Sequence, residues 1–173
     1  MKPNFRVLGA GIWGFSFSNY LMSLGHDVEV FCRDTNSSTE NNKSINIKSF
    51  DVLDDCDASD AINIMAVNSK GFDAVLKKYK NYFKNTRELI SLTKGIDHGT
   101  GLLFHSLVRE RIGTDVKYGL ISGPSFAKDL TDRKKISVSF ASNDNDLKKF
   151  MVESTKSSYF DMIPISEIHH IEM

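Results

Sequence analysis

Three glycines near the start of the chain, Gly9, Gly11 and Gly14, have the spacing G-x-G-x-x-G. They follow a short apolar segment and open a segment with helical spacing, which is the context in which such a turn binds a dinucleotide. In that role Gly9 permits a tight turn, Gly11 lets the backbone approach a pyrophosphate, and Gly14 lets helix pack on strand. The start of the helix would then offer N–H groups and a positive dipole end to the phosphates. A turn needed only for packing is the alternative.

The ribose of a bound dinucleotide is expected at the end of the second strand, about 20 residues after the glycine turn. Arg33 and Asp34 stand there. An acid favours NAD through the 2′-hydroxyl, whereas an arginine accommodates the 2′-phosphate of NADP. Because Arg33 comes first, NADP is slightly favoured and NAD stays open. The alternative for Arg33 is a solvated loop charge.

Two further polar segments, Thr93-Lys94-Gly95 and Ser122-Gly123-Pro124-Ser125, each follow a predicted strand. In open α/β sheets, ligands bind in the crevice at the carboxyl ends of the strands. Lys94 would place a cation there, suited to a phosphate or a reacting oxygen. A solvated lysine is the alternative.

The elements that must position these residues alternate between strand and helix. Apolar runs and alternation predict strands over 5–8, 27–32, 61–67, 88–92, 118–122 and 136–141. Helical spacing predicts helices over 14–24, 71–83, 101–111 and 145–156, and the polar stretch 34–49 is predicted to be an exposed loop. The fold class is therefore α/β, a Rossmann-type, doubly wound and mostly parallel sheet.

Composition limits the partners and the compartment. The 173 residues suit one domain, and 22 basic residues balance 22 acidic ones, which argues against nucleic acid or an anionic membrane as a general partner. No apolar run approaches membrane-spanning length, and the start at Met1 shows no secretory leader. Cys32 and Cys56 form no C-x-x-C pair, so free thiols in a reducing cytoplasm are expected.

Two clusters could suggest a metal, and neither fits one. Adjacent side chains such as His169 and His170 diverge in a strand or a helix, so they cannot easily share an ion. The acidic stretch from Asp54 to Asp60 lacks the glycine and the final glutamate of a calcium loop. No metal site is expected.

The glycine turn with Trp13, the segment 91–95 and the segment 122–127, in this order, resemble bacterial-type NAD(P)-dependent glycerol-3-phosphate dehydrogenase. The resemblance covers nearly the whole chain and matches the first half of a family member. It implies an NAD(P)-binding Rossmann domain over 1–165 and, over 166–173, the start of a linker to a helical C-terminal substrate domain that is absent here. It also allows a homodimer.

The resemblance further implies residue roles. The cofactor would contact Gly9, Gly11, Ile12, Trp13, Gly14, Arg33, Ser69, Lys94 and Ala127, and the substrate would contact Lys94, Gly123 and Ser125. Lys94 would be the catalytic residue, touching both, and the family's second lysine would follow Met173. The implied reaction is hydride transfer between sn-glycerol 3-phosphate and dihydroxyacetone phosphate. The alternatives are a non-catalytic dinucleotide-binding module, or another NADP-dependent reductase such as a ketopantoate or hydroxyacid reductase.

Overall fold

A computed structural model describes residues 4–35, 45–123 and 127–172 of the chain. The strands of this part are β1 (Asn4–Leu8), β2 (Asp27–Cys32), β3 (Asn46–Ser49), β4 (Ile62–Met65), β5 (Glu88–Ser91), β6 (Lys117–Ser122), β7 (Ile136–Ser142) and β8 (Phe160–Ile165). The helices are α1 (Ile12–Ser23), α2 (Ser69–Lys78), α3 (Lys80–Phe83), α4 (Phe104–Arg111), α5 (Ala127–Thr131), α6 (Asn145–Ser154) and α7 (His169–Glu172). Two short 3-10 helices, Phe50–Asp55 and Ala58–Asp60, precede β4.

The strands form one sheet in the order β3-β2-β1-β4-β5-β6-β7-β8. All neighbours are parallel except β6 and β7. The chain winds outward from β1 in both directions, so the strand order reverses between β1 and β4. The prediction of a Rossmann-type, doubly wound and mostly parallel sheet is confirmed. The carboxyl ends of β1, β2, β4, β5 and β6 consequently share one edge, where ligands bind in sheets of this type.

Apolar layers cover both faces of the sheet, which is why its central strands are nearly continuous hydrophobic runs. Phe5 and Val7 of β1 face the layer that contains α1, whereas Leu8 faces the layer that contains α2 and α4. Such alternation follows from the two-residue repeat of a strand. The rigid core between these layers fixes the strand ends that carry the polar loops.

The helices predicted over 14–24 and 145–156 differ from α1 and α6 by two residues at most, and the other two differ more. The helix predicted over 71–83 is two helices, because the backbone leaves helical geometry at Tyr79, with φ −106° and ψ 37°. The helix predicted from 101 begins at Phe104, since Asp97 holds a turn just before it. The Asp97 carboxylate accepts the N–H groups of Gly99 and Thr100 at 3.1 and 2.8 Å.

The sequence did not predict the two edge strands. The loop prediction over 34–49 is wrong for Asn46–Ser49, which forms β3, and 36–44 lie outside the described residues. On the opposite edge, β8 contains Pro164, which a strand tolerates only at an edge or a bulge. β3 has one apolar residue, Ile47, among its four, and Pro164 interrupts the apolar residues of β8, so neither segment has the pattern from which the central strands were predicted.

The described helices include none whose length and apolarity would let it cross a lipid bilayer.

Candidate functional site

The three glycines of the turn after β1 have different physical roles. Gly9 has φ +119°, and a Cβ there would lie 2.7 Å from the carbonyl oxygen of Ala66. A Cβ on Gly14 would overlap the Gly9 carbonyl and lie 2.9 Å from the Ala66 side chain. Gly9 and Gly14 thus bring α1 close to the ends of β1 and β4. A Cβ on Gly11 would meet no atom of the described residues within 4 Å, so the space in front of Gly11 is open within that part of the chain.

The start of α1 presents backbone donors to that space. Gly11 is the N-cap residue, makes no side-chain cap, and is followed by no acidic residue in the first turn. The next residue, Ile12, is 82% exposed. The first N–H groups of a helix have no intrahelical acceptor, and the helix dipole adds a partial positive charge. This geometry suits an anionic group such as a pyrophosphate.

Arg33 and Asp34 lie at the same edge as the glycine turn. Both are exposed and directly follow β2, which pairs in parallel with β1 through Leu8 and Phe31. The Gly9 N–H also donates to the Phe31 carbonyl at 2.8 Å. The placement agrees with the expected ribose end of a dinucleotide site.

Ser69 is the first residue of α2 and is half-buried. The helix is capped by Asn68, whose side-chain oxygen accepts the Gly71 N–H at 2.9 Å. The turn that carries both residues follows β4, and the Ala66 N–H donates to the Leu8 carbonyl at 2.8 Å. Ser69 therefore lies beside the glycine turn, on the far side of it from Arg33.

Hydrogen bonds from its neighbours hold the loop of Lys94 in place. Ser91 is fully buried, and its hydroxyl accepts the Thr93 N–H at 3.0 Å. The Thr93 hydroxyl donates to the Val67 carbonyl, which ties the loop to the end of β4. Lys94 itself is exposed, and its Nζ donates to the Ser122 hydroxyl at 3.4 Å. The two polar segments predicted at the carboxyl ends of β5 and β6 thus meet.

A small cleft of about 80 Å³ joins these segments to the glycine turn. Trp13, Lys94, Ser122 and Gly123 line it. The apolar wall of the cleft, formed by Leu92, Ile121 and Val138, could not be predicted from sequence, because apolar residues in strand patterns are more simply explained as core. A Cβ on Gly123 would lie 3.2 Å from the Val138 backbone, so glycine keeps this side of the cleft narrow.

The other two predicted contacts lie beyond Gly123. Ala127 is buried at the start of α5, which packs on α1 near Ser16 and Thr131, whose hydroxyls are 3.3 Å apart. Ser125 lies outside the described residues. The described part of the candidate site therefore contains the glycine turn and, at the same edge of the sheet, the Lys94 ammonium group, which donates to the Ser122 hydroxyl.

A larger cavity of about 400 Å³ lies at the opposite edge, where β6 begins at Lys117. Lys117 forms an ion pair there with Asp144 at 3.2 Å. The cavity lies at the amino end of β6, whereas the glycine turn follows the carboxyl end of β1. Because β1 and β6 run in the same direction, the cavity and the turn lie at opposite edges of the sheet. The candidate site is therefore chosen by the backbone N–H groups at the start of α1 and by Lys94, and not by the size of a cavity. Across the described ranges, no group of three or more histidine, cysteine or acidic residues is arranged to hold a metal ion.

Comparison with known proteins gives one consistent family. The profile of the family described as "NAD-dependent glycerol-3-phosphate dehydrogenase N-terminus" matches residues 4–148. Glycerol-3-phosphate dehydrogenase (NAD(P)+) of Alcanivorax borkumensis is 25% identical over 185 residues, covering 99% of this chain and 54% of the relative. That of Legionella pneumophila strain Lens is 30% identical over 163 residues, covering 87% of this chain and 49% of the relative.

Solved structures agree in fold. The crystal structure of glycerol-3-phosphate dehydrogenase from Coxiella burnetii matches with a TM-score of 0.81 at 23% identity, covering 99% of this chain and 56% of that one. At this identity the likeness shows the fold alone. The chain spans about half the length of the curated relatives it matches.

Proposed function

Because the chain belongs to the NAD-dependent glycerol-3-phosphate dehydrogenase N-terminus family, we propose that it is the cofactor-binding half of a glycerol-3-phosphate dehydrogenase. The reaction is hydride transfer between sn-glycerol 3-phosphate and dihydroxyacetone phosphate. Within it, this chain binds NAD(P)H and places Lys94 beside the substrate. Ketopantoate and hydroxyacid reductases were the alternative from sequence, and the family match argues against them.

The observation that carries the proposal is the geometry of the glycine turn. Gly9 and Gly14 are needed for backbone packing, whereas Gly11 faces open space beside uncapped helix donors. Packing accounts for Gly9 and Gly14 but not for Gly11, which makes no close contact with the described residues. A pyrophosphate in that space would accept the first N–H groups of α1 and gain from the helix dipole.

The nicotinamide supplies the hydride when bound, and the protein supplies position and electrostatics. The residues that would hold the cofactor are those of the glycine turn with Ile12 and Trp13, together with Arg33 at the ribose, and Ser69 and Ala127 at the edges. An arginine pairs with phosphate through two parallel hydrogen bonds. Arg33 therefore supports a slight preference for NADP, with NAD also accepted.

On the substrate side, the Lys94 ammonium lines the small cleft beside the glycine turn. An ammonium there would bind a phosphate oxygen or donate a hydrogen bond to the carbonyl oxygen of dihydroxyacetone phosphate. Such a donor stabilises the negative charge that develops on that oxygen as hydride arrives. Gly123 would bring backbone close to the substrate, and Ser125 would add a hydroxyl from the adjoining segment.

We also propose the domain bounds, the location and the oligomeric state of the protein. The Rossmann domain is placed over 1–165, and the family resemblance assigns 166–173 to the start of a linker. A cytoplasmic location and a homodimer remain predictions. A non-catalytic dinucleotide-binding module would use the same glycine turn, so turnover assays distinguish it from the dehydrogenase.

Cofactor titration tests the proposal directly. Fluorescence titration of the chain with NADH and NADPH should saturate below millimolar concentration. Gly11→Val should abolish that binding while the melting temperature stays close to wild type, because its Cβ meets no atom of the described residues within 4 Å. Ile163→Val, at an exposed position of β8, is the control and should bind as wild type does. Absence of saturable binding by the wild-type chain would contradict the proposal.

A further inference from the structure

One residue far along the chain, Glu172, contacts both ends of the segment that joins Lys94 to α4. Its backbone carbonyl accepts the Gly95 N–H at 2.9 Å, directly after Lys94. Its carboxylate Oε1 accepts the His105 N–H at 2.8 Å, in the first turn of α4. Glu172 is fully buried, although it lies in the short helix α7.

The carboxylate supplies a cap that the local sequence of α4 lacks. The N-cap residue of α4 is Leu103, whose side chain has no acceptor. A carboxylate at a helix N-terminus accepts otherwise unpaired N–H groups and is stabilised by the helix dipole. The Tyr118 hydroxyl also lies 3.5 Å from the same oxygen. These contacts satisfy Oε1, whereas Oε2 is buried with no hydrogen-bond partner among the described residues, and burial raises the pKa of Glu172.

The segment between the two contacts is stiffened from within. The Asp97 N–H donates to the Leu102 carbonyl at 2.8 Å, and the Asp97 carboxylate accepts two further N–H groups of the turn. Ile96 and Leu103 form an antiparallel bridge. The interior of the segment is therefore bonded to itself, and each of its two ends makes a hydrogen bond with Glu172.

We propose that Glu172 is a positioning residue for Lys94: by clamping both ends of the 95–105 segment, it fixes the backbone from which the Lys94 ammonium enters the cleft. The role assigned to Lys94 rests on the proposed function above. Glu172 itself touches neither the cleft nor the glycine turn. It acts through the Gly95 hydrogen bond and through the capped start of α4.

A double-mutant cycle on cofactor binding tests this coupling. The variants are Glu172→Ala, Lys94→Ala and their combination, each titrated with NADH at a temperature where circular dichroism shows it folded. Alanine keeps the Glu172 carbonyl but removes the carboxylate that anchors it, a loss of one hydrogen bond that corresponds to roughly 2- to 12-fold in Kd. With Lys94 present, E172A should weaken binding by that factor. In the K94A background it should have no further effect.

Two comparison variants separate positioning from general destabilisation. Glu172→Gln keeps an oxygen that accepts the His105 N–H, so its Kd should stay within about two-fold of wild type. Glu167→Ala removes an exposed carboxylate from the same stretch of chain and should change nothing. An equal loss from E172A in both backgrounds would show that Glu172 does not act through Lys94, and would overturn the inference. So would E172A binding as wild type does.

Hydrogen–deuterium exchange of the Gly95 amide gives a readout that needs no cofactor. E172A should speed this exchange relative to wild type and E167A, while the amides of β1 and β4 stay protected. Unchanged protection at Gly95 would overturn the inference even if NADH binds. If the wild-type chain binds no NADH, the proposed function fails, and the Gly95 exchange alone then decides whether Glu172 clamps the segment.

Discussion

Replacing Gly14 by alanine should destabilise the fold, although alanine is normally the better helix residue. In an open helix interior the change gains roughly 0.5–1 kcal/mol. Here the new Cβ would overlap the Gly9 carbonyl and lie 2.9 Å from the Ala66 side chain. Overpacking of this kind costs about 1–3 kcal/mol, and a clash with backbone belongs at the upper end. The net loss is then about 2 kcal/mol.

Thermal unfolding followed by circular dichroism measures this loss. For a chain of this size, 1 kcal/mol corresponds to roughly 2–4 °C, so Gly14→Ala should lower Tm by about 4–8 °C. Gly11→Ala is the matched control in the same turn, because its Cβ would meet nothing within 4 Å. Alanine is a weaker N-cap residue than glycine, which costs a few tenths of a kcal/mol to about 1 kcal/mol. Alanine also reduces the conformational freedom of the unfolded chain, and this effect offsets the cost.

The opposite order would refute the packing argument. If G14A melts at or above the wild-type temperature while G11A melts lower, α1 does not press on the ends of β1 and β4 as described. Equal small shifts for both variants would show that the turn relaxes around the added methyl group. Either result would also remove the distinction between packing glycines and the ligand-facing glycine.

The remaining predictions concern the choice between NADPH and NADH at Arg33, and the loss of folding stability at acidic pH. Arg33→Ala should weaken NADPH binding by about ten-fold or more and leave NADH nearly unchanged, because only NADPH offers the 2′-phosphate to a guanidinium; equal losses for both cofactors would reject the assignment. Burial alone would raise the pKa of Glu29, but hydrogen bonds from Lys48 and Arg6 outweigh it, so this pKa lies below its usual value. A lowered folded-state pKa means that the carboxylate stabilises the fold at neutral pH and loses this contribution as pH falls through the folded pKa. Urea unfolding between pH 7 and pH 3 should therefore show a shallower acid decline for Glu29→Gln than for wild type, and parallel declines would contradict the ion-pair account.

Local patterns in the sequence were enough to predict the centre of the fold and the edge of the sheet that carries the candidate site. The glycine turn is recognised from three residues and the elements beside them, and the central strands from apolar runs that both covered faces require. Once parallel strands were predicted, the polar segments after them had to share an edge. The meeting of Lys94 with Ser122 at that edge follows the same logic.

The tertiary structure decided what depends on contacts between distant parts of the chain. Strands β3 and β8 form because a neighbouring strand offers its free edge, since the polar residues of β3 and Pro164 of β8 do not by themselves favour a strand. The distinction among the three glycines depends on where Ala66 lies, more than 50 positions along the chain. Glu172 could be assigned from sequence only to a linker; its contacts with Gly95 and His105 span separations that no local pattern encodes. Such contacts depend on the packed core as a whole, since only the assembled layers bring these groups within hydrogen-bond distance of one another.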